Sequence, residues 1–128
     1  MSKVGSIMNV VSIVLIVFFM LASSIKTLGW QKKVFETQLA FFKNYGLNRQ
    51  IMFVVGCLEL TGAMSLLLGL VGWVPELVVS LGALLLAVVS IGAIFFHLRF
   101  DSWQAGIPAM VTLSLSSYVA YPLIALLH

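Results

Sequence analysis

The sequence predicts an all-α polytopic membrane protein, an antiparallel bundle of four transmembrane helices with an interfacial helix in the first loop. Three observations predict it. Of the 128 residues, 62% are hydrophobic and only 9% are charged, outside the range of water-soluble domains. Residues 7–28, 50–71, 76–98 and 106–127 are mostly apolar, and each stretch supplies the roughly 20 residues that a helix needs to cross about 30 Å of hydrocarbon. The connections between them carry Gly and Pro at turn positions or, in the first, an amphipathic pattern. A soluble core of this size would leave too much of so apolar a chain exposed, so residues 1–128 read as a single membrane domain.

The first span begins after Lys3 and ends near Ala22-Ser23-Ser24, a pattern that imitates a cleaved secretion signal. Its apolar run is longer than the roughly 7 to 15 residues of a signal core, and cleavage would leave an odd number of spans. The expectation is that it is retained. In the connection that follows, over residues 31–45, Phe35, Leu39 and Phe42 share one helical face while Lys33, Thr37 and Asn44 fall on the other, and Gly46 is placed to end the helix. Such a helix lies in the membrane interface, with Trp30 and Tyr45 bracketing it at headgroup level. Gly69, Gly72 and Pro75 make a tight hairpin, so spans two and three are antiparallel neighbours; Gly106 and Pro108 open span four.

Seven basic residues against four acidic ones give a net charge of +3, and Lys26, Lys32, Lys33, Lys43 and Arg49 all flank or lie in the first connection. A nucleic-acid reader needs a basic face on a water-exposed fold, so no nucleic-acid partner is expected; the cluster fits the lipid headgroup surface instead. With Arg99 in the third loop and only Lys3 on the other side, the positive-inside rule places loops one and three in the cytoplasm and both termini outside. That bias shrinks if Lys26, Arg49 or Arg99 is basic for function.

Cys57 is the only cysteine, which excludes an internal disulfide, a dithiol motif and an iron–sulfur cluster bound by this chain alone. His97 and His128 are separated by span four, about 30 Å from end to end, so no haem is held between them in one chain. No group of His, Cys, Asp and Glu has metal-site spacing, no Gly-rich phosphate loop is present, and no serine is placed as an activated nucleophile.

The polar residues inside the spans carry the functional signal. Glu59 is well inside span two, about 12 Å from its start, where a charge costs roughly 3 kcal/mol and needs a partner or a proton. The simpler alternative is a neutral Glu59 hydrogen-bonded to a neighbouring helix. Gly56, Gly62 and Ala63 lie on or near its face, as small residues do where helices pack closely. Ser90, Ala93 and His97 share a face of span three, although a histidine at a span end is by itself an ordinary interfacial residue. Ser12, Ile16, Phe19, Ser23 and Lys26 form a stripe on span one, and Ser114, Ser117, Tyr118 and Tyr121 one on span four. Taken singly, such hydroxyls serve packing and a terminal lysine snorkels. Because the helices alternate direction, Lys26, Glu59, His97 and Arg99 belong to one leaflet, and the stripes are expected to converge there on a polar site that also takes in Ser90, Ser114 and Tyr118.

These positions resemble the DoxX-like family of small four-helix membrane proteins, which place a lysine after span one, a Glu-x-x-Gly motif preceded by a glycine in span two, and a histidine closing span three after a Gly-Ala pair. Here those are Lys26, then Gly56 with Glu59 and Gly62, then Gly92-Ala93 leading to His97; the family's glycine before the lysine is replaced by Ser23 and Ser24. The resemblance implies a subunit of the bacterial inner membrane, in some members tied to quinone-linked redox chemistry, with a quinone as the candidate ligand and partner redox subunits or a homo-oligomer as candidate partners. Three functions compete. The first is a pocket for a small lipophilic molecule lined by Glu59, His97 and Lys26. The second is a non-enzymatic bundle that binds lipids, sterol-like ligands or partner membrane proteins. The third is transport, which four short helices serve poorly without oligomerisation.

Overall fold

A computed structural model describes residues 3–126. The regular structure of these residues is helical: α1 (Lys3–Leu28), α2 (Lys32–Asn44), α3 (Arg49–Leu70), α4 (Glu76–Phe100) and α5 (Ile107–Leu126), with a short 3-10 turn, Gln104–Gly106, leading into α5. Residues Ile7–Leu28 of α1, with α3 and α4, are long and apolar enough to cross a membrane. His128 and Leu127 lie outside the described residues, as does the Lys3 side chain.

Helix ends follow from local chemistry. Asn48 caps α3 by accepting a bond of 3.0 Å from the Ile51 amide. At the far end of α2, Gly46 takes a φ of +80°, which costs a residue with a Cβ about 1–2 kcal/mol. It lets the Leu47 and Gly46 amides reach back to the Phe42 and Lys43 carbonyls at 2.9 and 3.1 Å, closing the helix and turning the chain towards α3. Gly72, with a φ of +81°, ends α3 in the same way.

The four longer helices pack in the order α1 on α3, α3 on α4 and α4 on α5, with α5 returning more lightly to α1. Their core joins Leu15, Ile16 and Phe19 of α1, Ala63 and Leu66 of α3, Ala83 and Leu86 of α4, and Val119 and Ala120 of α5. Large side chains from one helix thus meet alanines on the next. In lipid, where burial of apolar surface drives nothing by itself, such van der Waals fit holds helices together. The α3–α4 contact shows how tight it is: a Cβ added at Gly62 would lie 2.6 Å from the Leu86 side chain and 3.0 Å from the Gly82 carbonyl. Outward positions such as Val10, Val17, Val54, Leu81, Val88 and Val111 are exposed and apolar, a surface fit for lipid and not for water.

Across the end of this assembly where α1 finishes, α3 begins and α4 finishes lies α2. Its half-buried face carries Phe35, Leu39 and Phe42, and its exposed face Lys33, Thr37 and Asn44.

Candidate functional site

Lys26 sits in the last turn of α1 and Glu59 mid-way along α3. They meet because Gly56, one turn before Glu59, leaves room for α1: a Cβ there would lie 2.8 Å from Thr27 Cγ2 and 3.0 Å from Lys26 Cβ. The ammonium is 3.0 Å from Glu59 Oε1 and 3.4 Å from Oε2, with the two side chains 12% and 6% exposed. The ammonium, with three N–H donors, thus faces both carboxylate oxygens, Oε1 more closely. A buried pair of this kind balances desolvation against attraction, and losing one member leaves the other charge uncompensated.

Arg49, the first residue of α3, reaches the end of α1 and donates from Nη2 to the Thr27 carbonyl at 2.9 Å, satisfying one of the carbonyls that a helix terminus leaves free. Its guanidinium lies 4.9 Å from the Phe35 ring centroid and 5.8 Å from that of Phe53, stacked as arginine, unlike lysine, can be. Nη1 is buried without a partner, as is Oε1 of Gln38 on α2. Arg49 therefore joins α1, α2 and α3 beside the end of α1 that carries Lys26.

His97 is not part of that pair. The α3–α4 register, Gly62 against Leu86 and Gly69 against Val79, sets Glu59 near the level of Ser90 and His97 about 10 Å nearer the helix end. There His97 Nδ1 is 3.0 Å from Asp101 Oδ2 and 2.9 Å from the hydroxyl of Tyr45, which itself donates to Asp101 Oδ2. Phe41, Phe96 and Phe100 enclose the cluster, with ring centroids 5.7, 5.2 and 5.7 Å from His97, Tyr45 and Tyr45 respectively. Burial, and then the hydrogen bond and charge of Asp101, hold the Tyr45 phenol well above the ordinary tyrosine range. It is a neutral donor at every physiological pH, and the stability that its raised value contributes is present up to the ordinary tyrosine range and is lost as pH climbs from there through the raised value. Tyr45, at the C-terminal cap of α2, thereby fastens that helix to the end of α4.

The family model described as the DoxX-like family matches residues 10–119. The chain belongs to the DoxX-like family. Three apolar helices in a DoxX-like chain make it an integral membrane protein. Comparison with curated proteins and with solved structures returned no match.

Within the DoxX-like chain the other expected site residues separate. Ser90 is buried, 2.7 Å from Thr112 Oγ1 and 2.8 Å from the Leu86 carbonyl, so it ties α4 to α5. Arg99 is exposed, its guanidinium 5.6 Å from the Phe100 ring. Ser114 is exposed and bonds back to the Met110 carbonyl at 3.0 Å, and Tyr118 is 37% exposed. The convergence of four polar stripes therefore needs correction: α5 turns Thr112, Ser116, Val119 and Ala120 inward, and at about 100° per residue that rotates Ser114 and Tyr118 outward. Gly92, of the Gly-Ala pair before His97, makes no close helix contact: a Cβ there would meet nothing within 4 Å. Its companion Ala93 is half-buried. Tyr45, Asp101, Arg49 and Thr112 are the residues that sequence reasoning passed over as site members.

The Tyr45 clasp carries a testable expectation. Tyr45→Phe removes one hydroxyl and leaves the ring in place, at a cost of about 1 kcal/mol for a hydrogen bond to a carboxylate at a half-buried site. Amide hydrogen exchange in α2 is expected to accelerate about fivefold while the α3–α4 core exchanges as before. Unchanged α2 exchange would show that the aromatic packing alone holds it.

Proposed function

We propose that this DoxX-like protein crosses the membrane four times, with α5 as the fourth crossing and α2 at the interface, and that it binds a small lipophilic, quinone-like molecule at the Lys26–Glu59 site as a subunit of, or accessory to, a membrane redox system. The observation that carries the proposal is the buried Lys26–Glu59 pair. Ionisable groups at membrane depth are expensive, and their usual return is a ligand or a proton path. Glu59 and Lys26 are the groups that would handle the proton accompanying quinone chemistry, while α2, held by Tyr45 and Arg49, covers the mouth. His97 serves this site through that cover and not by touching the ligand. The basic residues of the first connection and Arg99 favour a cytoplasmic setting for this end in a bacterial inner membrane.

The test is mass spectrometry, with an ultraviolet-visible spectrum, of small molecules that co-purify with wild-type protein and with Glu59→Gln from native membranes. A quinone or related lipophile present in the first and depleted in the second is expected. Preparations that carry only bulk phospholipid in both cases would end the proposal.

One observation favours a second, non-enzymatic reading. A groove of about 560 Å³ runs along the outer side of α5, lined by Met8, Ser114, Ser117, Tyr118, Tyr121 and Pro122. Its volume suits one lipophilic molecule, and its hydroxyls suit a lipid or sterol-like ligand. If Tyr118→Ala, and not Glu59→Gln, depletes the co-purified molecule, this groove is the binding site and the ion pair is structural.

A further inference from the structure

We infer that the seam between α1 and α5, at the end of the bundle away from Lys26, binds a long-chain alkylammonium, with the ammonium beside Glu76 and Ser80 and the chain along the outer side of α5. The inference rests on the second reading above, the α5 groove, and deepens it by naming the class of ligand; it does not depend on the Lys26–Glu59 site. Two cavities lie at this seam. One, of about 200 Å³, is lined by Glu76 and Ser80 of α4, Val119 of α5 and Met8 of α1, among others. The other is the groove of about 560 Å³ that runs past Ser114, Tyr118 and Pro122. Met8 lines both, so the wall they share is a flexible, unbranched side chain.

The seam is open for local reasons. α5 packs closely on α4 and only lightly on α1, and it gives Val119 and Ala120 to the core while Tyr118 and Tyr121 stay outside. Pro122 lies within α5 and has no amide hydrogen, so the Tyr118 carbonyl lacks its usual helical donor. The 2.7 Å contact of Ser90 with Thr112 fixes the antiparallel register of α4 and α5. Counting equally far along both helices from that contact brings Ser80 level with Pro122. The freed carbonyl is directed along α5 towards Pro122 and therefore stands near the level of Ser80, about one turn inside Glu76.

The groups gathered at this level ask for one kind of partner. The Glu76 carboxylate and the Tyr118 carbonyl are acceptors, and the faces of the Tyr118 and Tyr121 rings attract a cation. A free backbone carbonyl is costly in hydrocarbon. A primary ammonium brings a positive charge and three N–H donors, whereas an alcohol brings one donor and no charge. From there the groove continues towards Ser114, with a volume suited to one lipophilic chain.

The test is photolabelling of purified full-length protein in phosphatidylcholine vesicles at neutral pH, with a diazirine-bearing dodecylamine and, separately, a diazirine-bearing dodecanol of the same length, the labelled residues being mapped by tandem mass spectrometry. The vesicles carry no net charge that would gather the amine by itself. In wild type the amine is expected to label Met8 and the segment from Ser114 to Pro122 about tenfold more strongly than the alcohol does, the worth of a close charge pair near a protein surface, and excess unlabelled dodecylamine should displace it. Glu76 is exposed at the start of α4, so Glu76→Gln disturbs no core packing; it should bring amine labelling down to the level of the alcohol and leave alcohol labelling unchanged. Pro122→Ala supplies the amide that the Tyr118 carbonyl lacks and should weaken amine labelling about threefold. Equal labelling of wild type by both probes, or amine labelling unchanged in Glu76→Gln, overturns this inference while leaving the groove as a site for neutral lipophiles. Labelling spread evenly over the lipid-facing surface, with no displacement, overturns the inference and the groove together.

Discussion

Lys26→Met is expected to destabilise the protein by about 3 kcal/mol, the typical loss when one partner of a buried ion pair is removed. The methionine fills nearly the same space, so the loss reports the carboxylate left behind with its Oε1 and Oε2 unpaired in a site only 4% exposed. Exchanging Glu59 as well, in Lys26→Met with Glu59→Leu, is expected to recover at least half of the loss, because two apolar side chains replace two charges that had to be desolvated. The measurement is unfolding of purified protein in mixed micelles by sodium dodecyl sulfate, analysed as a double-mutant cycle. If the single replacement costs under about 0.5 kcal/mol, the level of an exposed surface pair, the pair is not buried in the membrane protein as described.

Gly62→Ile is the second large effect. A Cβ alone at this position would stand 2.6 Å from Leu86 Cγ and 3.0 Å from the Gly82 carbonyl, and the backbone oxygen cannot swing aside as a side-chain tip can. Overpacking of this kind costs about 1–3 kcal/mol for small additions, and a branched side chain falls at the upper end or beyond, at about 3 kcal/mol or more. Gly92→Ile, in the same family of substitutions on α4, meets nothing within 4 Å at its Cβ and is expected to be neutral or slightly stabilising, since glycine is a poor helix former. Comparison of the two by the same unfolding assay separates close packing from helix propensity. Equal effects would contradict the α3–α4 interface.

The helical segments were legible because hydropathy and punctuation act locally: an apolar run must be helical in lipid to satisfy its backbone, and Gly46 and Gly72 take the left-handed backbone at the helix ends they were placed to make. Lys26 and Glu59 stood out because each is chemically at odds with its neighbours in sequence. Their contact was not legible, since it depends on how α1 is rotated about its axis, and that is decided by the void at Gly56. On α5 the hydroxyls fall on two faces, and only packing chooses Thr112 and Ser116 over Ser114 and Tyr118 for the interior. Tyr45 and Arg49 were hidden by good alternative explanations, an interfacial aromatic and a topology charge. Asp101 did leave a signal: it is four residues after His97, the spacing at which helical neighbours pair.

The ion pair joins residues 33 positions apart in the chain, and that separation has a meaning during synthesis. At about 5–20 residues per second, Lys26 leaves the ribosome roughly 2 to 7 seconds before Glu59 does. A lysine at a helix end can wait with its ammonium among the headgroups, whereas a carboxylate in mid-span has nowhere comparable to wait. Placing the cation first and at the margin, and the acid second and in the interior, means that the more demanding charge enters the bilayer when its counterion is already there. The order of the two residues along the chain thus doubles as an insertion schedule.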